Sequence, residues 1–404
     1  MASFDLDRLA RQLAVRQSRR QTLKLAGGLG LGAAMLPHLP ALAQDATPSA
    51  SPEANGLRVR RNAASLSSDE KKAYTDAVLA LKDKPSPWAA GLNTYDTFVL
   101  WHRDAFNCDI NAAHMGAAFL PWHRQFLHLF EQQLQSVDPT VMLPYWDWTV
   151  DNTADSYVWQ DDFMGGSGNP DEGYVVTNGP FAKGNWTITV FDYNDSVQNP
   201  SIIRDLGGGS MAPDLPTADQ VEEALNVATY DAEPWNSTSP IAESFRNTIE
   251  GWRDCVAEMC DPVVGLGTTC TGSHDLHNRV HLWVSGEFEF AHEADMEMRS
   301  EAGAAATPDT SDPNTPEGST KILGAMAANS SPSDPVFFQH HANIDRLWSE
   351  WIRRHGTTYL PVSGGPVGHN LNDAMWPYTQ LGLTITPAMM LSTKDLGYIY
   401  DTEQ

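Results

Sequence analysis

Two triplets of histidine, His102/His114/His123 and His277/His281/His341, stand far apart in a chain of 404 residues. Each triplet lies in or beside apolar stretches with helical spacing, so the fold must let separate helices deliver imidazoles to shared points. In the first, Pro121 is placed to open a helix through Phe119-Leu120-Pro121-Trp122-His123-Arg124-Gln125-Phe126-Leu127, with His123 in its first turn, facing inward. His114 lies nine residues upstream across a turn carrying Gly116, and His102 ends the apolar stretch that starts at Tyr95. His277 and His281 stand at i and i+4 on one helical face, placed to hold one ion. A third ligand is expected from Asp334-Pro335-Val336-Phe337-Phe338-Gln339-His340-His341, where a proline ends one segment and a helix with a strong apolar stripe begins.

A single buried histidine is more often a hydrogen-bonded core residue than a ligand, but six in two such groups favour a pair of metal ions. Neutral imidazole suits both oxidation states of copper and leaves room for an exogenous ligand, whereas thiolates favour a closed site. Neighbouring side chains on a helix diverge by about 100°, so His340 and His341 are not expected to serve the same ion. A zinc hydrolase built on His274, His277 and His281 competes with copper; the sequence has no HExxH pattern, and this reading leaves three histidines without a role.

These segments resemble the two copper-binding signatures of the tyrosinase family, type-3 dicopper proteins that include catechol oxidases and molluscan hemocyanins. The residues in family register are His114, Phe119-Leu120, Trp122-His123-Arg124, Leu127 and Glu131, then Asp334-Pro335, Phe337, His341 and Asp345. The resemblance implies two copper ions, the first held by His102, His114 and His123, the second by His277, His281 and His341, with O2 as co-substrate. It implies oxidation of small phenolic substrates, o-diphenols to o-quinones, and o-hydroxylation of monophenols. Hemocyanin-like O2 binding and an o-aminophenol or catechol oxidase without monophenol hydroxylation are the alternatives. Asn278 and Glu250, the latter in Phe245-Arg246-Asn247-Thr248-Ile249-Glu250-Gly251-Trp252, resemble the pair that holds an ordered water near the second copper, although extra residues separate Glu250 from the histidines. Asp345 is a candidate orienter of a ligand ring, with a surface carboxylate or an Arg346 partner as the plainer reading. Tyr398-Ile399-Tyr400 resembles the tyrosine motif closing the family's catalytic domain, so no shielding domain is expected after it; a copper-loading helper protein is an expected partner.

The expected fold is mainly α: a four-helix bundle housing the dicopper centre, with long loops and a few short strands. Ser67-Ser68-Asp69-Glu70 reads as a capping box opening a helix to about Lys82. Further helices are expected near Tyr95 to Asn107, Pro121 to Val137, Ala218 to Asn226, Pro240 to Cys255, His274 to Val284 and Pro335 to His355. The Gly/Asn/Asp/Pro-rich stretch from Asp151 to Leu215 reads as long loops with small strands such as Trp186 to Val190.

Residues 1–43, with Arg19-Arg20 before a short apolar run and Ala41-Leu42-Ala43, read as a twin-arginine signal peptide, followed by a flexible leader over 44–56 and a catalytic domain over 57–404. Export to the periplasm or beyond a bacterial or archaeal cell is expected, and the apolar run is too short for a membrane anchor. Cleavage removes six basic and two acidic residues, moving the net charge from −25 to −29. Such a surface argues against a nucleic-acid partner; oligomeric state is left open. Insertions are expected at about 253–272, carrying Cys255, Cys260 and Cys270 and one local disulfide, and at 287–323, a loop of lid length. For Cys108 a disulfide or free thiol is favoured over the thioether to His114 found in some relatives.

Overall fold

The computed structural model describes residues 53–54, 56–106, 112–191, 200–209, 212–251, 255–261, 265–270, 276–290, 305–307 and 320–404. The signal segment, most of the leader, Cys108, His274 and the middle of the 287–323 insertion lie outside the described residues.

Local chemistry sets most helix boundaries. The Ser67 hydroxyl accepts from the Glu70 N–H (3.3 Å) and the Glu70 carboxylate accepts from the Ser67 N–H (2.8 Å), opening α1, Ser68–Asp83, with the expected capping box. Asn93 caps α2, Thr94–Ala105, by accepting from the Asp96 N–H at 2.7 Å. α3 spans Phe119–Gln135 and begins two residues before Pro121, which moves His123 from the expected first turn into the second. Pro121 is tolerated there because the first four helical N–H groups have no intrahelical acceptor. Thr217 and Gln220 cap α4, Ala218–Leu225.

The helix expected from Pro240 to Cys255 is cut short. A 3-10 turn at Ile241–Glu243 leads into α5, Phe245–Glu250, which Gly251 ends in the left-handed conformation at φ 86°. Two long-reach helices complete the set: α6, Leu276–Ser285, and α7, Val336–His355, which follows Pro335 as expected.

α3 packs on α7, α1 packs on α2 and α3, and α6 packs on α5 and α7. The α3–α7 seam is aromatic: Phe130 and Phe338 stack with ring centroids 3.5 Å apart, and Phe126 stacks on Phe338 at 5.8 Å.

Below this seam lies a buried ionic base. Arg124 of α3 donates to Asp345 of α7 at 2.5 Å, and Arg60 donates to Asp345 at 3.3 Å and to Glu131 at 2.7 Å. The phenols of Tyr398 and Tyr400 also donate to Asp345, at 2.7 and 2.5 Å. Asp345 is therefore committed to two guanidinium and two phenol donors, and orienting a ligand ring is not its task. Nor does it pair with Arg346, which reaches Asp147 and Asn343 instead. Burial alone would raise the Asp345 carboxyl; Arg124, Arg60 and the two phenols outweigh it and hold the group below the usual carboxylate range.

The strands are short. β1 (Glu53–Ala54), β2 (Leu57–Arg60) and β8 (Tyr398–Tyr400) form one sheet in which β2 and β8 run parallel, Arg58 opposite Tyr398. The first insertion forms an antiparallel hairpin of β3, Cys255–Asp261, and β4, Gly265–Cys270, with Cys255 directly across from Cys270. The second contributes β5 (Glu287–Phe290), β6 (Ala305–Thr307) and β7 (Thr320–Leu323) in the order β5-β7-β6. The strand expected at Trp186–Val190 is absent: that stretch holds only an isolated bridge between Lys183 and Trp186.

Candidate metal centre

Four helices and one turn carry the histidines. His102 comes from α2, His123 from α3, His277 and His281 from α6 and His341 from α7, while His114 sits in a turn between α2 and α3. All but His281 are buried at 3% exposure or less. The donor atoms of His102, His114 and His123 lie within 4.8 Å of one another.

The second set is tighter. Its three Nε2 atoms form a triangle with edges of 3.2 Å (His277–His341), 3.0 Å (His281–His277) and 3.2 Å (His281–His341). An ion with nitrogen ligands at about 2.0–2.1 Å in tetrahedral directions separates those nitrogens by about 3.3 Å, so the triangle fits one face of such a site. The two sets abut: the rings of His123 and His341 stack at 4.3 Å with 16° between their planes.

Main-chain carbonyls aim the rings. Nδ1 of His102 donates to Asn329 O (2.7 Å), of His123 to Phe119 O (2.8 Å), of His277 to Glu250 O (3.2 Å) and of His281 to Met326 O (2.5 Å). A carbonyl oxygen only accepts, so Nδ1 carries the proton and Nε2 keeps its lone pair for the centre. The buried Nε2 atoms of His102 and His123 have no hydrogen-bond partner among the described residues. Leaving such atoms orphaned is costly, and a metal ion removes the cost. Burial pushes the basicity of all six rings down, His123 to about 3 and His281 to about 4, keeping them neutral as ligation requires.

His340 is nearer than its helical divergence from His341 suggests. It is fully buried, its donor atom falls within the second group, and its ring stacks on His277 at 5.2 Å and 16°. It turns a face to His277, whereas the other three rings meet through their Nε2 atoms.

A pocket opens over both sets, lined by His102, His114, His277, His281, Asn278 and Met326 among others. Phe106 forms part of its wall and stacks on His114 at 3.7 Å and 19°. Asn278 is 7% exposed and its amide nitrogen has no hydrogen-bond partner among the described residues. Glu250 does not line the pocket: it is fully buried, one carboxylate oxygen accepting from the Met115 N–H (2.5 Å) and the other from Arg246 (3.0 Å). Burial pushes its carboxyl up to about 7, against the pull of Arg246 and the Met115 N–H.

Sequence reasoning missed Phe106, Arg246 and the carbonyls of Met326 and Asn329. Only Phe106, an aromatic one turn beyond His102, left a visible signal; a carbonyl that aims a ring carries none.

The chain matches the family model described as the common central domain of tyrosinase over residues 92–354. The chain belongs to the tyrosinase family. It is 37% identical to a tyrosinase of Streptomyces glaucescens over 350 residues, 86% of this chain and 100% of that protein. It is 33% identical to the grixazone synthase of Streptomyces griseus over 370 residues, 85% of this chain and 99% of that one. A polyphenol oxidase mutant from Thermothelomyces thermophila shares the fold, with a TM-score of 0.51 at 20% identity, covering 85% of this chain and 88% of that one. In this tyrosinase-family protein the clustered histidines form a copper-binding site.

Proposed function

We propose that this tyrosinase-family chain binds two copper ions and uses O2 to convert o-diphenols to o-quinones and to hydroxylate monophenols at the ortho position. Copper-dependent phenol oxidation is supported by relatives named tyrosinase, which match at 37% identity over most of the chain. The observation that carries the two-ion reading is the stacked contact of His123 and His341, which joins two buried sets of imidazoles beneath one pocket. His102, His114 and His123 would hold one ion and His277, His281 and His341 the other. When bound, the copper pair supplies the redox capacity to activate O2 and to accept electrons from the phenol.

The chain's own residues bind and orient. The mostly apolar pocket wall, with Phe106 and Met326, favours a flat aromatic ring over a charged ligand. The unpartnered Asn278 amide stands beside His277 and is placed to donate to a phenol oxygen or to a water. Glu250, the expected second holder of that water, turns its carboxylate to Met115 and Arg246 instead, so Asn278 is the pocket-facing group that would hold it.

Export of the folded chain by the twin-arginine route, and loading by a copper helper, complete the reading. Among the described residues no helix is long and apolar enough to cross a membrane. The test is to load purified protein with copper, count the ions and follow quinone colour with catechol, tyrosine and an o-aminophenol. Two ions with turnover of catechol and tyrosine support the reading. O2 uptake without turnover points to a carrier, and turnover of catechol or the aminophenol without tyrosine removes monophenol hydroxylation.

A further inference from the structure

The six ligands are not equally well held. Five sit on helices, and four of those five have Nδ1 fixed by a main-chain carbonyl. His114 has neither support: it lies in a turn, and its buried Nδ1 has no hydrogen-bond partner among the described residues. Its ring is steadied by the Phe106 face, but its place depends on the backbone of the turn itself.

That backbone is strained one residue later. Met115 has φ 52°, in the left-handed region that a side chain other than glycine rarely adopts. Such a conformation persists only where surrounding contacts over-determine it. The contact here is the Met115 N–H donating to Glu250 Oε1 at 2.5 Å. The other carboxylate oxygen is held by Arg246, which is itself anchored on Asp231 at 3.0 Å, and all three side chains are fully buried. The same residue reaches the other set through its main chain, because Glu250 O accepts from His277 Nδ1 at 3.2 Å. Gly251 ends α5 immediately after and frees that carbonyl from the helix.

We propose that Glu250 is a positioning residue that locks the two halves of the metal centre together, its carboxylate holding the His114 turn and its main-chain carbonyl holding the His277 ring. This rests on the six-histidine reading above and is distinct from any part Glu250 takes in holding a water. A group that serves a water must face the pocket; a group that serves the turn must reach Met115. The Glu250 carboxylate reaches Met115.

Two variants separate these roles. Glu250→Gln keeps an acceptor at the same reach for the Met115 N–H, while Glu250→Asp keeps the charge beside Arg246 but withdraws the acceptor by about 1.5 Å, one carbon–carbon bond. The readout is copper retained by the purified full chain after dialysis against a chelator, alongside kcat and KM for catechol and tyrosine. The parent should retain two ions; if it does not, the ligand reading fails before any variant is made. The expected result is that Glu250→Gln retains both ions while Glu250→Asp retains one, with catechol and tyrosine turnover lost together.

Asp231→Asn is the control for mere stability. It loosens Arg246 without touching Met115, and should lower Tm yet leave both ions bound. Full copper retention in Glu250→Asp overturns the proposal, as does equal loss of both ions. Retention in both variants with selective loss of tyrosine hydroxylation assigns Glu250 to the water alone and likewise overturns it.

Discussion

The two histidine sets differ in how the chain delivers them. The second comes from two helices that pack directly on each other, and its Nε2 atoms already stand 3.0–3.2 Å apart. The first is gathered from two helices and a turn; its ring centroids are 4.8–5.7 Å apart, close to the 4.5–5.4 Å of the second, so the difference lies in delivery rather than in ring spacing. A pair of ligands at i and i+4 on one helix needs only that helix to form, whereas the first set needs three segments placed independently. Its geometry therefore depends more on supports outside the helices: Phe106, Glu250 and the carbonyl of Asn329.

The contrast can be broken most directly at His341, the member of the second set that touches the first. His341→Ala should abolish phenol oxidation and leave one retained copper, read by metal analysis. Two retained ions would assign the missing ligand to His340 and dissolve the distinction between the sets.

Next in size is Asp345, which ties α3 to α7 and hence one ligand of each set to the other. Asp345→Ala leaves Arg60 and Arg124 buried without their shared carboxylate and should cost about 3–5 kcal/mol, read as a fall in Tm. The effect should strike both sets equally, unlike a change at Glu250. Because the folded-state carboxyl lies below its ordinary value, its contribution is present above the unfolded pKa and lost as pH falls through the folded one. Acid unfolding of the parent should therefore be steeper than that of Asp345→Asn.

Phe106→Ala removes the stacked face from His114 and an edge contact from His102, both in the first set. An aromatic pair contributes about 0.5–1.5 kcal/mol, so copper affinity should fall about twofold to tenfold at the first set and stay unchanged at the second, by chelator competition. Equal weakening at both sets would show that the first is no more dependent on its supports than the second. Smallest for the comparison is Ser67→Ala, which removes the cap of α1: about 1 kcal/mol of stability lost, with no change in copper retention.

Much of this was legible in the sequence where the signal is local. The Ser67 capping box, Pro335 before α7 and the i, i+4 pair at His277 and His281 each declare themselves within a few residues. Five of the six histidines lie on helices, as their spacing implied, and His114 lies in a turn. What escaped was decided by partners distant in sequence. Asp345 looked available to orient a ring because nothing nearby announces Arg60, Arg124, Tyr398 and Tyr400, the nearest of them 53 residues away. The apolar pattern of Trp186–Val190 suggested a strand, yet a strand needs a neighbour, and the described residues offer none there. The helix expected to run to Cys255 stops at Gly251, and that stop is what turns the Glu250 carbonyl towards His277.

The parallel pairing of β2 with β8 has a consequence for how the molecule is made. Arg60 lies near one end of the chain and Tyr400 near the other, joined across 340 residues by a hydrogen bond and a shared strand ladder. On a ribosome β2 must wait with β1 as its one neighbour until β8 has been synthesised, and a product lacking β8 would leave Arg60 without part of its cover. Topology thereby ties closure of the floor beneath the metal-bearing helices to the arrival of β8.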